Sequence, residues 1–407
     1  MGRLRESLSL PPSEQRHPVL MNAIYLWACF MSRPEPLCQH EEHYLQRSLE
    51  ALPDGLQSLD KVIDVIQASC LLSMYFLANG RLFEGSYHAS AAAALTTQTD
   101  LGRRTYSHAR NWTVDAVESD LKPPKSDTFE GEKILAFWQV YNLDRCWSVV
   151  LRKPCVIPDK LNSRHSICCP WPQDIDYYEN VSCANFLLFQ IWGSRHLNIQ
   201  GHVDTTAPLP IIRAFLSGSV SPNGFSIAAL RVKASALFAH ADHLSANCKY
   251  HLPSCDLDTQ EFAGTKTSRL SDEIQSLEHT ITLFLSTLIP IAQLDAVLPD
   301  EKHGLIVTYS LAHTAMIHLH RAFALSDAVS FDKCSQASRA CISVVKHISD
   351  GDFAFLEPII GVRTLCSILP VMHILNCLYT AMLVVCCRYP RKGLGRSPSF
   401  VAAGRSQ

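Results

Sequence analysis

Charge is scarce in this 407-residue chain. Asp, Glu, Lys and Arg make up 18% of it, against roughly 25% in an ordinary soluble protein. The 36 basic and 38 acidic residues leave a formal net charge of −2. A surface that grips nucleic-acid phosphates is strongly basic, so these residues themselves are not expected to bind DNA. Glycine (17) and proline (22) are too few for a collagen-like or low-complexity chain. Catalytic signatures are missing as well. There is no GxSxG elbow, no GxxxxGK[ST] phosphate loop, no GxGxxG behind a strand and no DDxxD pair for magnesium. The chain is not expected to be an enzyme, and no cofactor is expected in it.

What the chain does have is apolar material, 47% of its residues, enough for one large or two ordinary domains with a substantial core. Sixteen cysteines run from Cys29 to Cys387 without a single CxxC step, and the N-terminal stretch MGRLRESLSLPPSEQRHPV shows no apolar signal-peptide region. An intracellular location follows as the expectation, with the cysteines as small core thiols.

Apolar residues recur at helical spacing almost throughout, and strand-like alternation is hard to find. Pro18 to Met31 reads as a first helix. A second follows Asp60, a candidate N-cap, with Val62, Val65, Ile66, Leu72 and Phe76 along one side and Ile63, Cys70, Leu71 and Met74 along the other. A helix apolar on all sides is a buried one, and Gly80 offers its stop. Its partner runs from Arg81 to Gly102, where the small residues of Ala89–Ala94 let another helix come close; so short a turn predicts an antiparallel hairpin. Gly131 to Leu151 reads as a strong third helix, with Glu130 and Glu132 at its positive dipole end and Pro154 and Pro158 beyond it. Further helices are predicted over 184–201, 225–246, 271–296, 304–324, 332–350 and 358–387. The expectation is an all-α fold, a large multi-helix domain of packed antiparallel helix pairs over 17–387. Possible inner boundaries lie in loops 152–180 and 246–271, with disordered segments at 1–16 and 388–407, the latter basic and without acid.

Histidine is plentiful (18), yet its spacing is poor for metal. His40-Glu41-Glu42-His43 is one residue short of HExxH and reads as a solvated helix start. His313, His318 and His320 read as helix-packing histidines with satisfied nitrogens. Thr364 to Cys387 carries no charge and is long enough to span a bilayer. Pro370, His373 and Asn376 favour a buried helix there, a tail-anchored membrane protein being the alternative.

Three stretches are more specific: HPVLMNAIYLWACFMSR (17–33), VIQASCLLSMYFLANGRLFEGSYHASAAAAL (65–95) and EKILAFWQVYNLDRCWSVVLRKPCVIPD (132–159). Together with PWPQDIDYYE (170–179), LAHTAMIHLHRAF (311–323) and FLEPIIGVRTL (355–365), they resemble the regulatory middle homology domain of fungal transcription factors with a binuclear zinc cluster. The resemblance covers most of 17–385. It implies a nuclear regulator of RNA polymerase II genes, with transcription machinery or regulatory proteins as partners, a possible small-molecule effector and a possible homodimer. It also implies DNA contact through six cysteines holding two zinc ions. That cluster is missing here, since Cys29 is the first cysteine and sits inside a predicted helix; DNA would be reached only through a separate module.

Two groups of residues are singled out as candidates. Arg81, Glu84, Asp144 and Arg145 place charges in apolar helices, where they are tolerated when paired. Pairing of Glu84 with Arg145, or of Arg81 with Asp144, would dock the hairpin on the third helix. Trp27, Trp138 and Trp147 could line a ligand cavity between helices, although aromatic residues at this spacing are more often plain core.

Overall fold

The computed structural model describes residues 7–11, 14–33, 36–102, 127–158, 167, 169–174, 177–178, 211–218, 224–251 and 260–349. Among these residues the regular structure is helical only, as the periodicity implies. We number the helices α1 (Pro18–Met31), α2 (Glu41–Gln57), α3 (Val62–Ala78), α4 (Leu82–Gln98), α5 (Asp127–Leu151), α6 (Ile211–Leu216), α7 (Ile227–His251), α8 (Gln260–Ser286), α9 (Pro299–His320) and α10 (Ala328–Val345). Short 3₁₀ turns cover Pro36–His40, Leu59–Lys61 and Ile291–Ala296.

Packing follows chain order. α2 lies on α1, α1 on α3, α3 on α4, and α5 against both α3 and α4. From there α5 meets α7, α7 packs extensively on α9, and α9 carries α10. α5 is the joint between the two halves, and its Trp138 and Tyr141 are among the largest fully buried side chains. A single apolar cluster runs from Ile63 and Ile66 of α3 through Ile134 and Val140 of α5 and Phe238 of α7 to Ile306 of α9 and Val344 of α10.

The α3–α4 hairpin forms as the sequence implies, and α4 brings Ala89, Ala92 and Ala93 into the core. One device ends α3, α4 and α5. Gly80, Asp100 and Arg152 all take the left-handed conformation (φ 75°, 49° and 53°). The next amide in each case bonds back to the last turn: Arg81 to Phe76 at 2.8 Å, Leu101 to Thr96 at 3.2 Å and Lys153 to Ser148 at 2.9 Å. This is the Schellman closure of orphan carbonyls. Gly80 is thus the stop it seemed, whereas α4 ends at Gln98 through Asp100 and not at Gly102.

Other boundaries moved for identifiable reasons. α3 starts at Val62, and Asp60 sits in the preceding 3₁₀ turn instead of capping it. The helix expected over 271–296 breaks after Ser286, because Pro290 has no amide hydrogen to donate and takes an extended ψ of 137°. α7 continues to His251 and α8 begins at Gln260, so the loop expected over 246–271 is much shorter. α2 was not anticipated as a full helix; Leu45, Leu49, Leu52 and Leu56 do recur at helical spacing, but the segment is polar overall and holds Pro53 in its interior. Glu41, expected at a solvated helix start, is buried in a forked pair with Arg33, and Tyr75 donates to it at 3.2 Å. Together these tie the start of α2 to α3.

The N-terminal segment 1–16, expected to be disordered, is held at its end. Arg16 reaches Asp64 of α3 at 2.7 Å and Glu132 of α5 at 2.6 Å, and the His17 amide donates to Asp64 at 2.7 Å. One guanidinium serves two helices because its fork offers separate donors to separate carboxylates. The stretch Arg269–Ala296 is, by length and composition alone, apolar enough to cross a membrane; its Leu277, Ile281 and Phe284 are buried in the common core. The helices expected at 184–201 and 358–387, the apolar run 364–387 and the tail 388–407 lie outside the described residues.

Candidate functional site: a cavity at the α3–α5–α7 junction

The four charged candidates have different partners from those expected. Arg81 and Glu84 pair with each other across one turn at the exposed start of α4, and the Arg81 guanidinium also lies over the Phe76 ring, 4.5 Å from its centre. Asp144 and Arg145 are buried, and both turn toward the segment that follows α5. The Asp144 carboxylate accepts the Val156 amide at 2.9 Å and the Ile157 amide at 3.1 Å, while Arg145 donates to the Ile157 carbonyl at 2.6 Å. The cross-helix pairs Glu84–Arg145 and Arg81–Asp144 therefore do not form. The reason lies in the chain path, since the left-handed turn at Arg152 folds the Pro154–Pro158 segment back along α5. Its backbone polar groups, lacking a ladder of their own, take the nearest buried charges. Burial pushes the Asp144 carboxyl above its ordinary range, opposed by the two amides and by Arg145.

This fold-back, with the segment at Cys169–Asp174, covers one side of α5. Trp138 Nε1 donates to the Pro170 carbonyl at 2.7 Å, and its ring stacks on Trp171 at 5.6 Å and 19°. Ser226 Oγ, at the start of α7, donates to the Pro172 carbonyl at 2.5 Å and accepts from the Ala229 amide at 3.1 Å. Beside it the buried Lys233 ammonium donates to the Gly224 carbonyl at 2.7 Å and sits among the rings of Phe225, Trp171 and Phe215, at 5.0, 5.1 and 5.6 Å. Burial lowers its pKa to about 8.

Beneath that cover lies a cavity of about 320 Å³. One wall is a single stripe of α5 made of Leu135, Trp138, Leu143, Cys146 and Trp147, with the amides of Gln139 and Asn142 set among them. These positions recur three and four residues apart and so share one face of the helix. Cys70 and Met74 of α3 form the opposite side, and Pro172, Ala228 and Arg231 complete the lining. Cys146 Sγ donates to Ser235 Oγ of α7 at 3.5 Å, one helical turn beyond Arg231. Asn142 Oδ1 is buried and accepts no hydrogen bond. Among the described lining residues Arg231 is the charged one, and none is a carboxylate. Burial pushes the Cys70 thiol up to about 12, so that wall carries no charge at neutral pH.

Of the three tryptophans singled out, Trp138 and Trp147 line this cavity. Trp27 does not; its Nε1 donates to the Leu71 carbonyl at 2.9 Å and its ring meets Phe30 edge-on at 5.1 Å in the α1–α3 cluster. Arg231, Asn142 and Gln139 were not singled out from the sequence. For the last two a signal exists, because an amide on the buried stripe of an apolar helix stands out once the stripe is drawn. Arg231 offers none, since only the packing of α7 on α5 brings it in.

The histidines take ordinary structural roles. His318 Nδ1 lies 2.8 Å from Asp242, which also holds Arg321 at 2.9 Å, and His320 Nε2 lies 3.3 Å from Glu278. His313 stacks on Tyr309 at 6.1 Å, and its Nε2 is buried without a hydrogen-bond partner, contrary to the expected satisfied nitrogens. Among the described residues, no group of three or more His, Cys, Asp or Glu side chains is placed to hold a metal ion.

Residues 4–202 match the family described as the fungal specific transcription factor domain. Over that stretch, a little under half of the chain, the sequence resembles this family of transcription-factor regulatory domains, which is non-enzymatic. The matched stretch contains α1 to α5 and the Trp171 segment, and hence most of the cavity wall. No curated protein and no solved structure matches the chain.

Proposed function

We propose that the chain controls transcription of RNA polymerase II genes in the nucleus by binding a small effector between α3, α5 and α7. DNA contact would come from a separate zinc-cluster module, since the near-neutral charge and the absence of any CxxC step give these residues no DNA-binding surface of their own. The observation that carries the reading is the cavity, about 320 Å³ on the helix joining the two halves of the domain. A ligand there touches α3, α5 and α7 at once. It thereby biases their mutual packing, which is what an effector must do to alter a distant surface.

The test has two arms. A thermal-shift screen of the purified full chain against cellular metabolites should find compounds that raise Tm, the added stability being about 4 kcal/mol at a thousandfold excess over Kd. Ala228→Leu, which fills the cavity, should abolish both the shift and the effector response of a reporter gene. Absence of any stabilising compound, together with unchanged reporter control in Ala228→Leu, overturns the reading.

A further inference from the structure

We propose that the exposed face of α4 around Phe83 and Tyr87 docks a short acidic segment of a partner protein, one that carries leucine or phenylalanine among its acids. Phe83, Tyr87 and Leu82 are 90%, 67% and 43% exposed, a concentration of apolar surface that marks an interaction site more often than a bare exterior. Phe83 and Tyr87 stand four residues apart and so share one face, while Gly85, His88, Ala89 and Ala92 turn to the core. That orientation is fixed. Gly85 lies so close to Leu77 of α3 that a Cβ there would come within 2.5 Å of it, so α4 cannot roll to bury its rings. None of the described cavity-lining residues belongs to α4, and the proposal does not depend on the effector reading.

The charge beside the rings sets the partner. Lys153, in the segment that folds back after α5, donates to Ser86 Oγ at 2.7 Å. Around the helix Ser86 lies between Leu82 and Phe83, so the ammonium is held at the edge of the apolar surface. Arg152, the residue before it, is exposed as well. Among the described residues neither cation pairs with a carboxylate. Glu84, the one acid of α4, is engaged by Arg81 on the other flank. A docked segment therefore meets aromatic surface with positive charge at its rim, which suits carboxylates spaced among apolar side chains. A basic segment would meet like charge.

Fluorescence anisotropy of the full chain with three short labelled peptides tests this. The first sets Leu and Phe at three- and four-residue spacing among Asp and Glu. The second replaces every acid by Lys, and the third replaces every Leu and Phe by Ser. The first should bind at least about tenfold more tightly than either of the others, and its affinity should fall as salt rises. Phe83→Ser combined with Tyr87→Ser should abolish that binding at unchanged Tm, because both rings are exposed. Arg152→Gln combined with Lys153→Gln should weaken it about threefold or more and flatten the salt dependence. No binding of the acidic peptide, equal binding of the basic one, or binding that survives loss of both rings overturns the proposal. Either rival occupant overturns it too. A dimer in sedimentation that the ring substitutions convert to monomer would make the face a contact between two copies of the chain. Binding of phosphatidylserine vesicles without peptide binding, lost in the same variants, would make it a lipid contact.

Discussion

Asp144 and Glu84 are both carboxylates on helices next to an arginine, yet their removal should cost very different amounts. The buried Asp144 accepts two backbone amides, that of Val156 partly buried and that of Ile157 buried, and Asp144→Ala leaves both unpaired. An expected loss of about 3 kcal/mol follows, since each orphaned group costs roughly 1–3 kcal/mol. Glu84 is 47% exposed and pairs only with its neighbour Arg81; Glu84→Ala should change stability by less than about 0.5 kcal/mol. Urea unfolding of the two variants checks the contrast. Equal losses would mean that the segment after Leu151 is not held on α5 as described.

At the scale of the element, the left-handed helix ends are the informative feature. Arg152 occupies φ 53° with a full side chain, a conformation costing a non-glycine residue roughly 1–2 kcal/mol. Arg152→Gly relieves that strain and gives back part of it as unfolded-state entropy. A net gain of about 0.5–1 kcal/mol is expected. Gly80→Ala should do the reverse and lose about 1 kcal/mol, although a Cβ at Gly80 would meet nothing within 4 Å. Because no contact changes, that loss would be a pure backbone effect. Midpoints measured at unchanged m-value separate it from a change in compactness.

For the molecule as a whole, acid should be damaging well before the carboxylates titrate. Burial lowers His88, His240 and His313 to about 4, whereas in the unfolded chain histidine titrates near 6.5. Between those values the unfolded state binds more protons than the folded one, so stability present above about 6.5 is lost as pH falls toward 4. Each group contributes on the order of 2–3 kcal/mol to that loss. Unfolding free energies at pH 7 and pH 5 should therefore differ by several kcal/mol. Single substitutions such as His313→Gln should flatten the slope. A pH-independent stability across this window would mean that these rings are solvated.

Helix period, the α3–α4 hairpin, the stop at Gly80 and the regulatory family are all legible in the sequence. Each depends on short-range spacing or on local blocks such as NLDRCWSVVL. Two tryptophans of the cavity wall are legible for the same reason, because they repeat on one face of one helix. The partners of Asp144 and Arg145, the second attachment of Arg16 and the arrival of Arg231 beside α5 are not. They pair residues far apart in the chain, or on the far side of a turn, and no local pattern encodes which buried charge a returning backbone segment will meet. Only the packing of α5 between its neighbours decided that, and it is this packing that forms the cavity between α3, α5 and α7.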